Sequence, residues 1–175
     1  MLERESIEQE RIPLEYRDLL KEYCLGMRRH FGCNLVSISV FGSLARGKAT
    51  PSSDIDVIVV AENLQQDIGV RTQSTNYIHE FLKRTDASVA LRKLGRSTLI
   101  SDIFLTPQEV EKHPPILIDM VEDAIILYDR MDYLRKALRK LGEKLKEMGA
   151  RKVITERGYY WILKPGAKPS EVVEI

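Results

Sequence analysis

The twenty residues from Phe41 to Val60, FGSLARGKATPSSDIDVIVV, constrain this chain more than any other stretch. Its second half reads as a strand over Asp54–Val60, whose near-continuous apolar run suits a buried position in a sheet. Asp54 and Asp56 lie two apart on that strand, so both carboxylates should project from one face, with Cα atoms about 6–7 Å apart. Two oxygen donors so placed can hold one hard cation between them, or share two. Mg²⁺ suits such a pair because it keeps waters and takes its remaining ligands from substrate phosphates. Upstream, Gly42-Ser43 closes one strand and opens a turn whose backbone N–H groups can cradle a phosphate. Gly47, Arg46 and Lys48 make the same turn flexible and electropositive, opposite the acidic strand. A lone DxD in a strand is usually surface decoration. Joined to an upstream Gly-Ser at this spacing, it reads as a site for a metal and a triphosphate.

The rest of the chain supplies the layers around that strand. Pro13 stands where helices start, and Leu19, Leu20, Tyr23, Cys24 and Met27 recur at helical spacing, so 13–30 reads as an amphipathic helix. Asn34–Phe41 alternates as a strand. Helical stretches are expected over 65–83 and 86–94, then a third strand over Thr98–Leu105. Thr106-Pro107-Gln108-Glu109 carries a helix-start signature. Ile116–Leu127 reads as a further helix. Leu134, Leu138, Leu141, Leu145 and Met148 form a narrow apolar seam over 131–149. Arg151–Thr155 and Tyr159–Leu163, joined around Arg157-Gly158, read as a terminal hairpin. The first eleven residues are charged and expected to fray. This order predicts an α/β (α+β) chain, a mixed β-sheet flanked by helices, with a C-terminal helix and β-hairpin extension.

Composition narrows the class without naming a function. The 175 residues suit one main domain, and 43% hydrophobic with 30% charged residues argues against disorder. No apolar run approaches the roughly 18–20 residues of a membrane span, and MLERESIEQERIP is too acidic for a signal peptide, which points to a cytoplasmic protein. Cys24 and Cys33 make neither a disulfide framework nor a CxxC pair. The net charge of +1 recruits no polyanion by itself. Its distribution is uneven: residues 130–152 carry nine Lys/Arg against three acids, while 119–129 hold four acids and no base. A solvated helix face beside an acidic neighbour explains this, and a nucleic-acid edge is the alternative.

Gly42-Ser43, ten intervening residues and Asp54-Ile55-Asp56 resemble the GS…DxD signature of the nucleotidyltransferase superfamily that includes the β-type DNA polymerases. The GSLARG opening and SDIDV close are similar to the minimal nucleotidyltransferases of bacteria and archaea, and more distantly to the antibiotic-modifying ones. PPILIDMVEDAIILYDR and GYYWILKP resemble extensions on archaeal members. The resemblance implies a nucleotidyltransferase domain over 1–112 and an extension over 113–175 packed on it. It implies transfer of an NMP from an NTP, with ATP favoured, to an acceptor hydroxyl, with release of pyrophosphate. Asp54 and Asp56 would bind two Mg²⁺ ions, and Gly42 and Ser43, with Arg46 and Lys48 beside them, the nucleotide phosphates. The acceptor would be a protein, such as a helical toxin partner of an antitoxin-like enzyme, or a small molecule.

The family also places a third carboxylate on a later strand. Asp102, flanked by apolar residues, is the candidate catalytic and metal-binding acid there. Its parity groups it with Ile100 and Phe104, so it points either into the core or into the site. An unpaired carboxylate in the core is costly, so a partner is expected. Glu109 is better explained as a cap, and Asp119 as a helix-surface acid. His30, His79 and His113 lack metal-ligand spacing. Tyr159, Tyr160 and Trp161 can stack on a base, though aromatics in a terminal hairpin more often pin it to the body. The competing readings are a non-catalytic nucleotide-binding or antitoxin-like module and an RNA-binding accessory protein. A homodimer is compatible with either.

Overall fold

The computed structural model describes residues 10–155 and 158–166. Four strands form the main sheet in the order β3-β2-β1-β4: β1 Leu35–Val40, β2 Ile55–Ala61, β3 Ile100–Leu105 and β4 Ile125–Asp129. β2 runs parallel to β3 and antiparallel to β1, and β4 runs antiparallel to β1. The sheet is therefore mixed. Among the described residues seven α-helices accompany it: α1 Leu14–Phe31, α2 Gly42–Ala45, α3 Ile68–Leu82, α4 Asp86–Lys93, α5 Pro107–Glu111, α6 Pro115–Asp123 and α7 Tyr133–Glu147. β5 Arg151–Thr155 and β6 Gly158–Ile162 pair as a separate hairpin. Of the turn expected around Arg157-Gly158, Gly158 begins β6, while residues 156–157 lie outside the described residues, as do residues 1–9 and 167–175.

Strand parity sorts the core into two layers. From β2, Ile55, Val57 and Val59 pack with Leu19, Leu20, Tyr23 and Met27 of α1 and with Ile78 and Leu82 of α3. Ile58 and Val60 face the other way, onto Leu117 and Met120 of α6 and the α7 seam Leu134, Leu138, Leu141 and Leu145. Fully burying one such aliphatic side chain contributes about 1.5–3 kcal/mol, so each helix is held chiefly by its apolar stripe. Both faces of β2 are covered, which accounts for its unbroken apolar run. Asp56 shares the parity of Ile58 and Val60, and Asp102 shares that of Ile100 and Phe104.

One element departs from expectation. The helix expected to run to Leu127 ends at Asp123, and after Ala124 the chain becomes β4. ILIDMVEDAIIL carries apolar residues on both sides of Asp119, Glu122 and Asp123 at a spacing that suits one longer helix, so periodicity does not divide it. The open edge of β1 and the β-branched pair Ile125-Ile126 decide its second half. The sheet thereby crosses the expected division at 112/113, since β4 pairs with β1. Thr106 and Glu109 form the anticipated capping box at α5. Glu109 also makes a bidentate pair with the buried Arg71, at 2.8 and 3.0 Å, tying α3 to α5. Among the described residues no helix is long and apolar enough to cross a membrane.

Candidate active site

The site forms where β1 ends and β2 begins. Val40 pairs with Val57, and the Phe41 N–H donates to the Asp56 carbonyl at 3.0 Å, so the chain leaving β1 passes directly over Asp56. The single turn of α2 starts there. Gly42 has φ +71°, and a Cβ on it would lie 2.0 Å from Asp56 Oδ2. No other residue type fits without moving that carboxylate. The Ser43 backbone N–H donates to the same carboxylate. Gly42 thus admits Asp56 to the turn, a close approach by a protein acid in addition to the phosphate approach read from the sequence.

The electrostatics of this corner are unbalanced. Burial and the Asp54 charge push the Asp56 carboxyl up, and only Arg46 and the Ser43 N–H oppose them. Asp54 itself stands exposed just ahead of β2. Arg46, half-buried after α2, lies 3.8 Å from Asp123 Oδ2 of α6 and 5.7 Å from the Tyr159 ring centroid of β6. Lys48 is exposed on the loop that follows. Asp54, Asp56, Gly42, Ser43 and Arg46 are therefore brought to one corner. Two neighbouring carboxylates with a shortage of positive partners suit a divalent cation.

Asp102 does not join them, and the expectation that it completes the site is corrected. In the parallel register Ser101 pairs with Asp56 while Asp102 pairs with Val57. The Asp102 side chain, 4% exposed, points into the α1–α3 layer. There its Oδ2 accepts hydrogen bonds from Tyr23 Oη at 3.0 Å and His79 Nε2 at 2.8 Å. The partner that a buried carboxylate requires is a tyrosine and a histidine. On β3 the position beside Asp56 belongs to Ser101.

Sequence reasoning missed the wall that α6 and the hairpin form beside α2. Asp119, Glu122 and Asp123 share one face of α6 at i, i+3, i+4 spacing, a signal that was available. Trp161 Nε1 donates to Asp119 Oδ1 at 2.9 Å, so Asp119 anchors the hairpin. Lys152 of β5 reaches Glu122 at 3.2 Å and Asp123 at 3.7 Å, with its Nζ 4.3 Å from the Tyr159 ring centroid. Among the other singled-out residues, His30 pairs with Tyr77. Burial pushes the Cys24 thiol up to about 12, which keeps it protonated. Among the described residues no group of three or more His, Cys, Asp or Glu side chains is arranged to hold a metal.

The chain is similar to several known proteins. A Methanocaldococcus jannaschii protein assigned as a protein adenylyltransferase is 27% identical over 134 residues, covering 75% of this chain and 84% of its own length. Two solved structures align more loosely. A toxin–antitoxin with AMP-PNP matches at 15% identity and TM-score 0.44, covering 74% of this chain and 91% of that one. A complex of tri-AMPylated Shewanella oneidensis HEPN toxin with MNT antitoxin matches at 14% identity and TM-score 0.42, covering 78% and 93%. The model of the nucleotidyltransferase domain family matches residues 20–155, most of the chain and all of the corner just described. This chain belongs to the nucleotidyltransferase domain family and is a nucleotidyltransferase.

Proposed function

We propose that the protein transfers AMP from ATP to a hydroxyl of a protein acceptor, with Asp54, Asp56, Gly42, Ser43 and Arg46 as its working residues. The observation that carries this reading is the packing of Asp56, with Asp54 beside it, against the Gly42 turn. Asp54 and Asp56 are the side chains that would hold Mg²⁺. Bound there, the ion would neutralise phosphate charge and make the acceptor oxygen a better nucleophile. The Ser43 hydroxyl and the α2 backbone amides other than that of Ser43, which Asp56 already takes, would hold the β- and γ-phosphates, and Arg46 and Lys48 would add positive charge. The acceptor hydroxyl oxygen bonds to the α-phosphorus and gives up its proton to solvent, the α–β bridge breaks, and pyrophosphate leaves. Catalysis is positioning and charge neutralisation rather than a covalent enzyme intermediate. The protein acceptor is favoured by the archaeal relative's description as a protein adenylyltransferase.

The test is incubation of the protein with each α-labelled NTP and Mg²⁺ in a cell lysate, followed by separation of labelled material. Label from ATP in one polypeptide band, lost on chelation, is the expected result. Label confined to small molecules would move the acceptor to the antibiotic-modifying class. One observation favours a second reading: Ser101 rather than an acid stands beside Asp56. A nucleotide-binding module without turnover would bind ATP with Mg²⁺ and label nothing.

A further inference from the structure

Arg46 is held by an unusual set of neighbours. On one side Asp123 Oδ2 lies 3.8 Å away, beyond hydrogen-bond distance, and this oxygen is buried without a hydrogen bond. On another side the Tyr159 ring offers its π-system at 5.7 Å. Asp123 cannot give its whole charge to Arg46, because Lys152 draws on the same oxygen from 3.7 Å. Lys152 is tied in turn to Glu122 at 3.2 Å and to the Tyr159 ring at 4.3 Å. The Trp161–Asp119 hydrogen bond fastens the hairpin on which Tyr159 stands. A chain of contacts therefore runs from α2 through Arg46 to α6 and the hairpin.

We propose that Asp123 and Tyr159 are positioning residues that complete the nucleotide site by aiming Arg46 at the triphosphate. A guanidinium has five N–H donors and a flat face that stacks on aromatic rings. An aromatic face and an ion pair at 3.8 Å restrict its orientation while leaving those donors for phosphate oxygens. The hairpin is then part of the binding machinery, and the shared hold of Lys152 on Asp123 keeps Arg46 from being locked in a tight ion pair. The inference rests on the reading that Arg46 contacts the triphosphate, and it extends the site to Lys152 of β5 and Tyr159 of β6.

The experiment is calorimetric titration of the full chain with Mg²⁺ and an ATP analogue carrying a carbon bridge between the α- and β-phosphorus. AMP serves as a probe that lacks the outer phosphates. Arg46→Ala should weaken analogue binding about 10-fold, the loss expected for a charge-assisted contact. Tyr159→Leu and Asp123→Asn should each weaken it about 3-fold, and Tyr159→Phe should recover the affinity lost in Tyr159→Leu because the ring is kept. AMP affinity should not change in any of them. In an Arg46→Ala background, Tyr159→Leu and Asp123→Asn should have no further effect. Equal losses in both backgrounds, equal losses for AMP and the analogue, or equal behaviour of Leu and Phe at 159 would overturn the positioning role. If Arg46→Ala itself leaves analogue affinity unchanged, the functional reading of Arg46 fails first and takes this inference with it. Asp123→Asn keeps the test decisive should Tyr159→Leu unseat the hairpin.

Discussion

Asp56 and Asp102 stand on adjacent parallel strands one register step apart, and their surroundings are opposites. Asp102 lies in the α1–α3 layer with a hydroxyl and an imidazole bonded to one oxygen. Asp56 sits against bare Gly42 with a single backbone N–H, a neighbouring acid and one guanidinium at longer range. One carboxylate is matched by its own fold. The other is left with negative charge that Arg46 and one backbone N–H balance only in part. The comparison shows that a site acid is recognised by the shortage of partners, since burial and strand position are shared with acids that merely hold the fold together.

The widest separation between the two is expected in catalysis. Asp56→Asn, or the double change with Asp54→Asn, should lower the transfer rate by about 10³-fold or more, with thermal stability unchanged or raised. Removing a charge that its neighbour repels costs the fold nothing. Initial rates with labelled ATP, set beside a melting curve, check both halves. Transfer that persists in the double variant would end the claim that these acids form the metal site.

Gly42→Ala tests the same corner without touching a charge. Its Cβ would need the space of Asp56 Oδ2, 2.0 Å away, at φ +71° where a side chain is already strained. The carboxylate must swing out, so transfer should fall about 10²-fold, the scale of a misplacement of roughly 1 Å. Stability should fall by only about 1–2 kcal/mol. An active Gly42→Ala enzyme would mean that Asp56 works from another position.

Asp102→Asn should give the inverse pattern. Per-molecule transfer should stay within a few-fold of the native rate while stability drops by about 2 kcal/mol, because Tyr23 and His79 lose a charged acceptor. Urea denaturation and active-site titration on one preparation separate the two effects. A loss of turnover with an unaltered denaturation midpoint would restore Asp102 to the catalytic set.

These contrasts also mark what the sequence could show. The Gly-Ser turn and the DxD pair were legible because local spacing alone brings them together: Gly42 follows the end of β1, and Asp56 stands near the start of its hydrogen-bonded neighbour β2. Asp102 was not. Its parity with Ile100 and Phe104 was visible, but which face that parity meant depends on the register between β2 and β3, set by residues far apart in the chain. β4 was hidden for a related reason, since an apolar run suits a buried helix and a buried strand equally until the edge of β1 chooses. The α6–hairpin wall required Trp161 to find Asp119 across 42 positions, a pairing no local pattern encodes.

Glu109 extends the comparison to an acid whose charge is fully matched. Its carboxylate accepts two hydrogen bonds from Arg71 and one from the Thr106 N–H. Chiefly through Arg71, these bonds hold its carboxyl down at about 2 against an ordinary 4.5. The folded chain therefore binds fewer protons at this position than the unfolded chain does. Its stabilising contribution is complete above pH 4.5 and fades as the pH falls toward 2. Since about a third of the side chain meets solvent, the contribution is modest. Arg71 also keeps its bonds to the Gln65 and Phe104 carbonyls, so Glu109→Gln should cost only about 1 kcal/mol at neutral pH. The variant should then lose less stability than the native chain between pH 5 and 3, and the two urea midpoints should converge. Parallel midpoints across that range would show that Arg71 is satisfied without Glu109, and that matched charge on this face of the fold contributes nothing that titrates.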